Sequence, residues 1–473
     1  MTGQYTADEI IVEVVNTTDV KINRMDGREG HGRIRIDDLR RGTIEIFQSW
    51  ICQGRISRRR ELEVFGSHLF ASLFADEVLS CFEQSMSAVK DKRCLRIQLR
   101  FDKDAAEMAS WPWEYLYYEP ENGRGFFLST QTDLVLSRYI PTLKPRKPLA
   151  PEERPLRILV VVSQPDDLEP VVAEPVIEAI QKLAGSAEAP LIRIERCDKP
   201  TIDNLLKAIE DAKPHVLHFI GHGRYNEEEK QGEIALLKYD EKSAAWCGDK
   251  AFAEYFVNLK AVPRLVLLHM CESGTVEFRA NFAGMAPQLI LAKVEAVVAM
   301  QYCIPNNAAI SFSRAFYAEL AKGDPVDGAV QMGRWRITID DPKSYDSRIF
   351  GTPVLYMHSR DGIILPQSET PGQKPSLSRS GPAAGSVQTM DIQSREKASE
   401  GIDRMMIGLL QRAAMKAAGA EQDLAFGAIK QIDWATPSTI EQQLNKCIDD
   451  GSVEKVPIFV AMLDELGKQR SKL

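Results

Sequence analysis

Leu265-Val266-Leu267-Leu268-His269-Met270-Cys271-Glu272-Ser273-Gly274 is the stretch on which the fold turns. Its first six residues predict a buried strand, which breaks at a cysteine followed by acidic and small residues. An apolar strand that delivers one cysteine to its exit is one way to fix a nucleophile in place. Strand-end cysteines are more often small core residues, and Cys197 and Cys303 also end strand-like segments, so position alone does not single out Cys271.

Outward from this stretch, strand and helix patterns alternate from residue 155 to about 360, the signature of a mainly parallel sheet. Ile158–Val162 is apolar on both sides and predicts a central strand, whereas Leu191–Cys197 alternates and belongs nearer an edge. A helix around Val176–Leu183 separates them. A second, Ile202–Glu210 with Thr201 as its cap, leads to the strand His215–Ile220. Hairpin-like residues near Glu233–Tyr239 and a helix near Lys250–Leu259 precede the opening stretch. After it come a short helix Met285–Ala292, a buried strand Ala296–Cys303, helices Asn307–Leu320 and Val326–Ile337, and a closing strand within Gly351–Met357.

His215, His218 and His222 would share one face of a helix and could then bind a metal. The intervening Val, Leu, Phe and Ile favour a strand instead, on which positions 218 and 222 are about 13 Å apart, too far for one ion. No metal and no cofactor is therefore expected. His222 differs from the other two because it stands between Gly221 and Gly223 at a strand's carboxyl end, where parallel sheets place their functional crevice. Cys271 holds the equivalent position on the next central strand, and consecutive parallel strands usually lie side by side. Imidazole and thiol can then meet, and the Gly223 and Cys271 amides can point at a developing oxyanion.

The front of the chain has a different pattern. Ile10–Val15 and Arg33–Ile36 predict a hairpin joined by a Gly- and Asp-rich link, followed by helices over Leu39–Cys52 and Glu61–Val89. Cys94–Phe101 alternates, with Leu95, Ile97, Leu99 and Phe101 inward and Arg96, Gln98 and Arg100 on a wet face. Trp111-Pro112-Trp113-Glu114 opens an aromatic segment, Asp133–Tyr139 is another strand, and the five prolines of residues 141–155 mark a boundary. The expected organisation is a front α+β region (1–150), an α/β core (151–362), a Ser/Pro/Gly-rich linker (363–394) and a small helical bundle (395–473).

The net charge of −8 gives no support to non-specific nucleic-acid binding, and no run of about 18 apolar residues suggests a membrane span. Eight scattered cysteines without Cys-x-x-Cys spacing argue against a zinc ribbon or a disulfide scaffold and fit a reducing compartment. Met1-Thr2-Gly3-Gln4-Tyr5 lacks a basic-then-apolar leader pattern, so a cytoplasmic location is expected.

Taken together, Pro214–Gly223 and Leu265–Gly274 resemble the His and Cys motifs of CHAT-domain proteases, relatives of caspases and separases. The resemblance extends through Phe282-Ala283-Gly284-Met285-Ala286-Pro287, Ala296–Tyr302, Phe316-Tyr317 and Gly351–Tyr356. It reaches upstream to Trp111–Leu116 and Leu136-Ser137-Arg138-Tyr139, covering about residues 60 to 360. His222 also precedes Cys271 by about 50 residues, the caspase-type separation.

The resemblance implies a caspase-like α/β/α sandwich with a mainly parallel central sheet, which on the residue patterns is preceded by an α+β region and followed by a small helical bundle. It further implies a cysteine endopeptidase with His222 and Cys271 as the catalytic dyad and Gly223 and Cys271 as the oxyanion hole. Glu272, Gln301 and Asn306 are candidate substrate contacts. Met270 before the cysteine and Ile304-Pro305-Asn306-Asn307 after the fifth strand depart from the family pattern, which commonly has Ala and Asp there. The expected partners are a protein substrate and an activator or adaptor bound by the bundle, in bacterial defence or cell death. The alternative is a catalytically idle CHAT-fold scaffold that recruits partners through the bundle. An unrelated α/β hydrolase would need a Gly-x-Ser-x-Gly elbow, which the sequence lacks.

Overall fold

The computed structural model describes residues 7–36, 38–53, 55–56, 58–89, 94–120, 123–142, 155–185, 191–226, 228–270, 284–340, 347–359 and 361–365. Cys271, Glu272, nearly all of the expected linker and the whole expected C-terminal bundle lie outside the described residues.

The front region opens with three strands, β1 (Ala7–Val14), β2 (Asp19–Arg24) and β3 (Glu29–Arg33), followed by helices α1 (Asp38–Cys52), α2 (Arg59–Leu73) and α3 (Asp76–Ala88). The expected hairpin is thus a three-stranded meander. Its middle strand lies in the polar link, where Val20 and Ile22 alternate into the core and the Asn16 side chain accepts from the Thr18 and Asp19 amides to close the turn. The single helix expected over Glu61–Val89 is two. No Gly or Pro marks the break; the chain turns at Phe74–Ala75, and Asp76, one of the few residue types that tolerates it, takes φ +51°.

Strand β4 (Cys94–Phe101), the short helix α4 (Ala106–Ala109), the hairpin of β5 (Tyr117–Tyr118) and β6 (Phe126–Phe127), and β7 (Leu134–Tyr139) complete this region. The wet face expected for β4 is covered. Gln98 is fully buried, and Arg96 is buried against Asp327. The strand lies between β1 and β7, so both its faces belong to the interior, and a partner 231 residues away in sequence satisfies the arginine.

The second half comprises β8 (Leu156–Val162), α5 (Glu174–Gln181), β9 (Ile192–Cys197), α6 (Ile202–Ala212), β10 (Val216–Gly221), β11 (Gly223–Asn226), β12 (Gln231–Leu237) and β13 (Ala244–Gly248). It continues with α7 (Asp249–Val257), β14 (Leu265–Met270), α8 (Met285–Leu291), β15 (Ala296–Met300), α9 (Asn306–Lys322), α10 (Val326–Asp340) and β16 (Pro353–Met357). Thr201 caps α6 through the Asn204 amide, as its sequence predicts.

Among the described residues the two halves share one sheet, ordered β3-β2-β1-β4-β7-β16-β15-β14-β10-β8-β9. Strands β1, β4, β7 and β16 form one parallel block, and β15, β14, β10, β8 and β9 another. The blocks run in opposite directions and meet where β16 pairs antiparallel with β15. On one face of the second block, Leu217 and Phe219 of β10 and Val266 and Leu268 of β14 pack with Ile209, Phe252, Phe256 and Leu289 of α6, α7 and α8. On the other, α9 and α10 pack together, α9 reaching His218 through Tyr317 and α10 reaching Leu136 and Pro353 through Arg334. This is the α/β/α sandwich. Each fully buried Leu or Phe contributes about 1.5–3 kcal/mol, which is why these strands are continuous apolar runs. Among the described residues no helix is long and apolar enough to cross a membrane.

Candidate active site

Strands β10 and β14 are parallel neighbours, and their register sets Val216 beside Leu265 and ends with Gly221 beside Met270. His222 is the residue after Gly221. The close approach of strand exits depends on that glycine: a Cβ at position 221 would lie 3.0 Å from the Ser163 Cβ and 2.9 Å from the Phe219 ring. Ser163, at the exit of β8, donates its amide to the Ile220 carbonyl.

His222 is held at both ends. Its carbonyl accepts the Ala235 amide of β12 at 3.0 Å, and its ring Nε2 lies 2.8 Å from the Glu169 carbonyl. A carbonyl can only accept, so the ring proton sits on Nε2 and the lone pair on Nδ1. This is the tautomer required of an imidazole that takes a proton through Nδ1. The ring is buried, 5% exposed, and desolvation depresses its pKa below the usual histidine value, while the Glu169 carbonyl and carboxylate pull it back up. Glu169 carries no side-chain signal for this role because the contact is made by its backbone. Its one sequence cue is Pro170, which biases residue 169 towards extended geometry.

Of the other predicted residues, Gly223 begins β11 and pairs with Ile234. Gln301 follows β15, and its side-chain amide donates to the Gly351 carbonyl at 2.6 Å and to Glu114 at 3.1 Å. Asn306 is exposed at the first position of α9. His222 and Gln301 thus follow strands of the same block at the same edge, with β14 between them. The rival strand-end thiol of Cys197, like that of Cys247, is pushed by burial up to about 11, so neither is a thiolate near neutral pH.

His218, one of the two histidines read as strand residues, forms a buried pair with His269. His218 and His269 stack across β10 and β14 with centroids 5.7 Å apart, and the Tyr317 hydroxyl lies 3.1 Å from His218 Nδ1. Satisfied ring nitrogens are expected for such residues. Here His218 Nε2 and His269 Nδ1 have no hydrogen-bond partner among the described residues. Desolvation pushes His269 down to about 4 and His218 well below its usual value, keeping both neutral. His215 does find a partner, as its Nδ1 accepts the Arg157 amide.

A family model described as CHAT domain matches residues 65–369. The chain belongs to the CHAT domain family. Among solved structures, the Saccharomyces cerevisiae separase–securin complex aligns at 10% identity and a TM-score of 0.40, over 74% of this chain and 30% of that one. The Arg-specific cysteine proteinase gingipain R aligns at 10% identity and a TM-score of 0.40, over 63% of this chain and 70% of that one. No curated protein matches. The CHAT match includes the Trp111–Glu114 segment, whose place in the fold is now visible. Glu114 pairs with Arg138 in a buried fork, and the same carboxylate accepts from Gln301. Arg138 also donates to the Trp111 carbonyl. In this CHAT domain the front region therefore touches the edge of the candidate site through one carboxylate, a role no local sequence pattern signals.

Proposed function

We propose that the chain is a cysteine endopeptidase that cleaves a specific partner protein, with Cys271 as nucleophile and His222 as its base. The observation that carries this reading is the register of β10 and β14: Gly221 stands beside Met270 at the two strand ends, and His222 and Cys271 are the residues that follow them in the sequence. The fixed Nε2–H tautomer of His222 adds to it, since it leaves Nδ1 to accept the thiol proton.

In this reading the thiolate of Cys271 attacks the scissile carbonyl carbon while the imidazolium balances its charge. The Gly223 and Cys271 amides stabilise the oxyanion. Imidazolium then protonates the departing amine, and a water deprotonated by His222 hydrolyses the thioester. Glu272, Gln301 and Asn306 line the substrate side. Gln301 acts there mainly as part of the wall, because its amide is committed to Glu114 and Gly351. A role in bacterial defence or cell death is what membership of the family suggests, whereas a recruiting role for the C-terminal helical bundle rests on its sequence pattern alone and a cytoplasmic location on the lack of a leader pattern. The test is to express full-length wild type, Cys271→Ala and His222→Ala in one host and map new protein N-termini by mass spectrometry. Cleavages present in wild type and absent from both variants are expected; identical profiles for all three would leave the idle-scaffold reading standing.

A further inference from the structure

The loop between β8 and α5 supplies the Glu169 carbonyl that orients His222, so whatever holds this loop holds the imidazole. Residues 164, 166, 167, 169 and 170 are exposed, while Pro165 and Val171 are buried and anchor the loop on either side of the 166–170 stretch that carries the Glu169 carbonyl. Two hydrogen bonds tie the loop to the turn and edge strand beside it. The Asp166 amide donates to the Lys242 carbonyl at 2.7 Å, and the Asp167 carboxylate accepts the Ala244 amide at 2.9 Å. Ala244 begins β13, an edge of the three-stranded sheet β11-β12-β13. Its neighbours Lys238 and Ser243 already make the last bond of the hairpin, so the Ala244 amide points outward to the carboxylate, which meets an otherwise unpaired donor.

The turn that presents these groups is itself stiff. Asp240 accepts from the Lys242 amide at 2.8 Å, from the Ser243 amide at 2.9 Å and from the Ser243 hydroxyl at 2.6 Å. Glu241 at its tip pairs with Lys199 at 2.7 Å. A rigid turn, two ties and one carbonyl therefore lead to Nε2 of His222.

We propose that Asp167 is a positioning residue for His222: by accepting the Ala244 amide it holds the loop so that Glu169 keeps the imidazole proton on Nε2. This deepens the dyad reading given above and rests on it for its catalytic meaning, but the geometric claim about the ring stands separately.

The test uses the full chain labelled with 15N-histidine, in which the seven histidines report their tautomers through two-bond 15N–1H couplings, His222 being assigned by loss of its signal in His222→Gln. Wild type should show the Nε2–H form at His222. Asp167→Ala should shift it towards a mixture, and Asp167→Asn, whose amide oxygen still accepts, should restore it. In parallel, the rate of Cys271 alkylation by iodoacetamide at pH 7 should fall about tenfold in Asp167→Ala, the scale of one lost hydrogen bond, and stay within about twofold of wild type in Asp167→Asn. An unchanged tautomer and rate in Asp167→Ala would overturn the proposal, as would equal impairment in Asp167→Asn. If His222→Gln itself leaves the alkylation rate unchanged, the dyad reading fails, while the tautomer signal still judges Asp167.

Discussion

His218 and His269 show what one residue type does at two depths. His222, at the strand exit, keeps a carbonyl partner and a lone pair to use. The two histidines one and two turns of the pleat below it are sealed from solvent and held neutral. In the unfolded chain each titrates near 6.5, so as pH falls below that value the unfolded state takes up protons that the native state refuses. The stability they leave intact above pH 6.5 is lost progressively between 6.5 and about 4 for His269. At pH 5 the cost from His269 is about 2 kcal/mol relative to pH 7.5. Urea unfolding of wild type and His269→Leu at both pH values should therefore show the variant losing about 2 kcal/mol less on acidification.

At the level of elements, one bond between the front region and the second block runs through Glu114, which accepts from Gln301 after β15. Both Glu114 and Arg138 are buried, and the carboxylate holds the guanidinium charged, raising its pKa further. Glu114→Ala would strand that charge and release Gln301. A loss of about 3–5 kcal/mol in urea unfolding is expected, part of it recovered in the double variant with Arg138→Met, which removes the stranded charge. Such pairings explain which elements could be read in advance. Strands β8, β10, β14 and β15 were legible because burial on both faces demands unbroken apolar runs, and the strand-exit position of His222 because two glycines are a local sign. The buried face of β4 was not, since Arg96 is an interior residue only by virtue of Asp327 on α10. The break between α2 and α3 carries no Gly or Pro, and β2 is short and half polar. Asp167 and Glu169 act through a carboxylate on an amide and a backbone carbonyl on a ring, contacts that only the tertiary structure brings together.

For the molecule as a whole, the pairing of β7 with β16 makes the front strands and the site-bearing strands one continuous layer. Arg334 of α10 fastens that seam by donating to Leu136 on β7 and Pro353 on β16, its buried charge pushed down to about 10 by desolvation. A fragment beginning at residue 151 would expose β16 and remove partners of Arg334, Gln301 and Asp327. Expressed alone, residues 151–365 should give no cooperative thermal transition, whereas residues 7–365 should. Among the described residues the layer ends in two margins, β3 and β9. The first is Glu29-Gly30-His31-Gly32-Arg33, five residues long with its glycines against α3; the second presents exposed Arg193 and Arg196. Short, charged margins offer a poor template for another chain's backbone. A layer this broad could otherwise lengthen edge to edge into fibrils, and its borders work against that at high protein concentration.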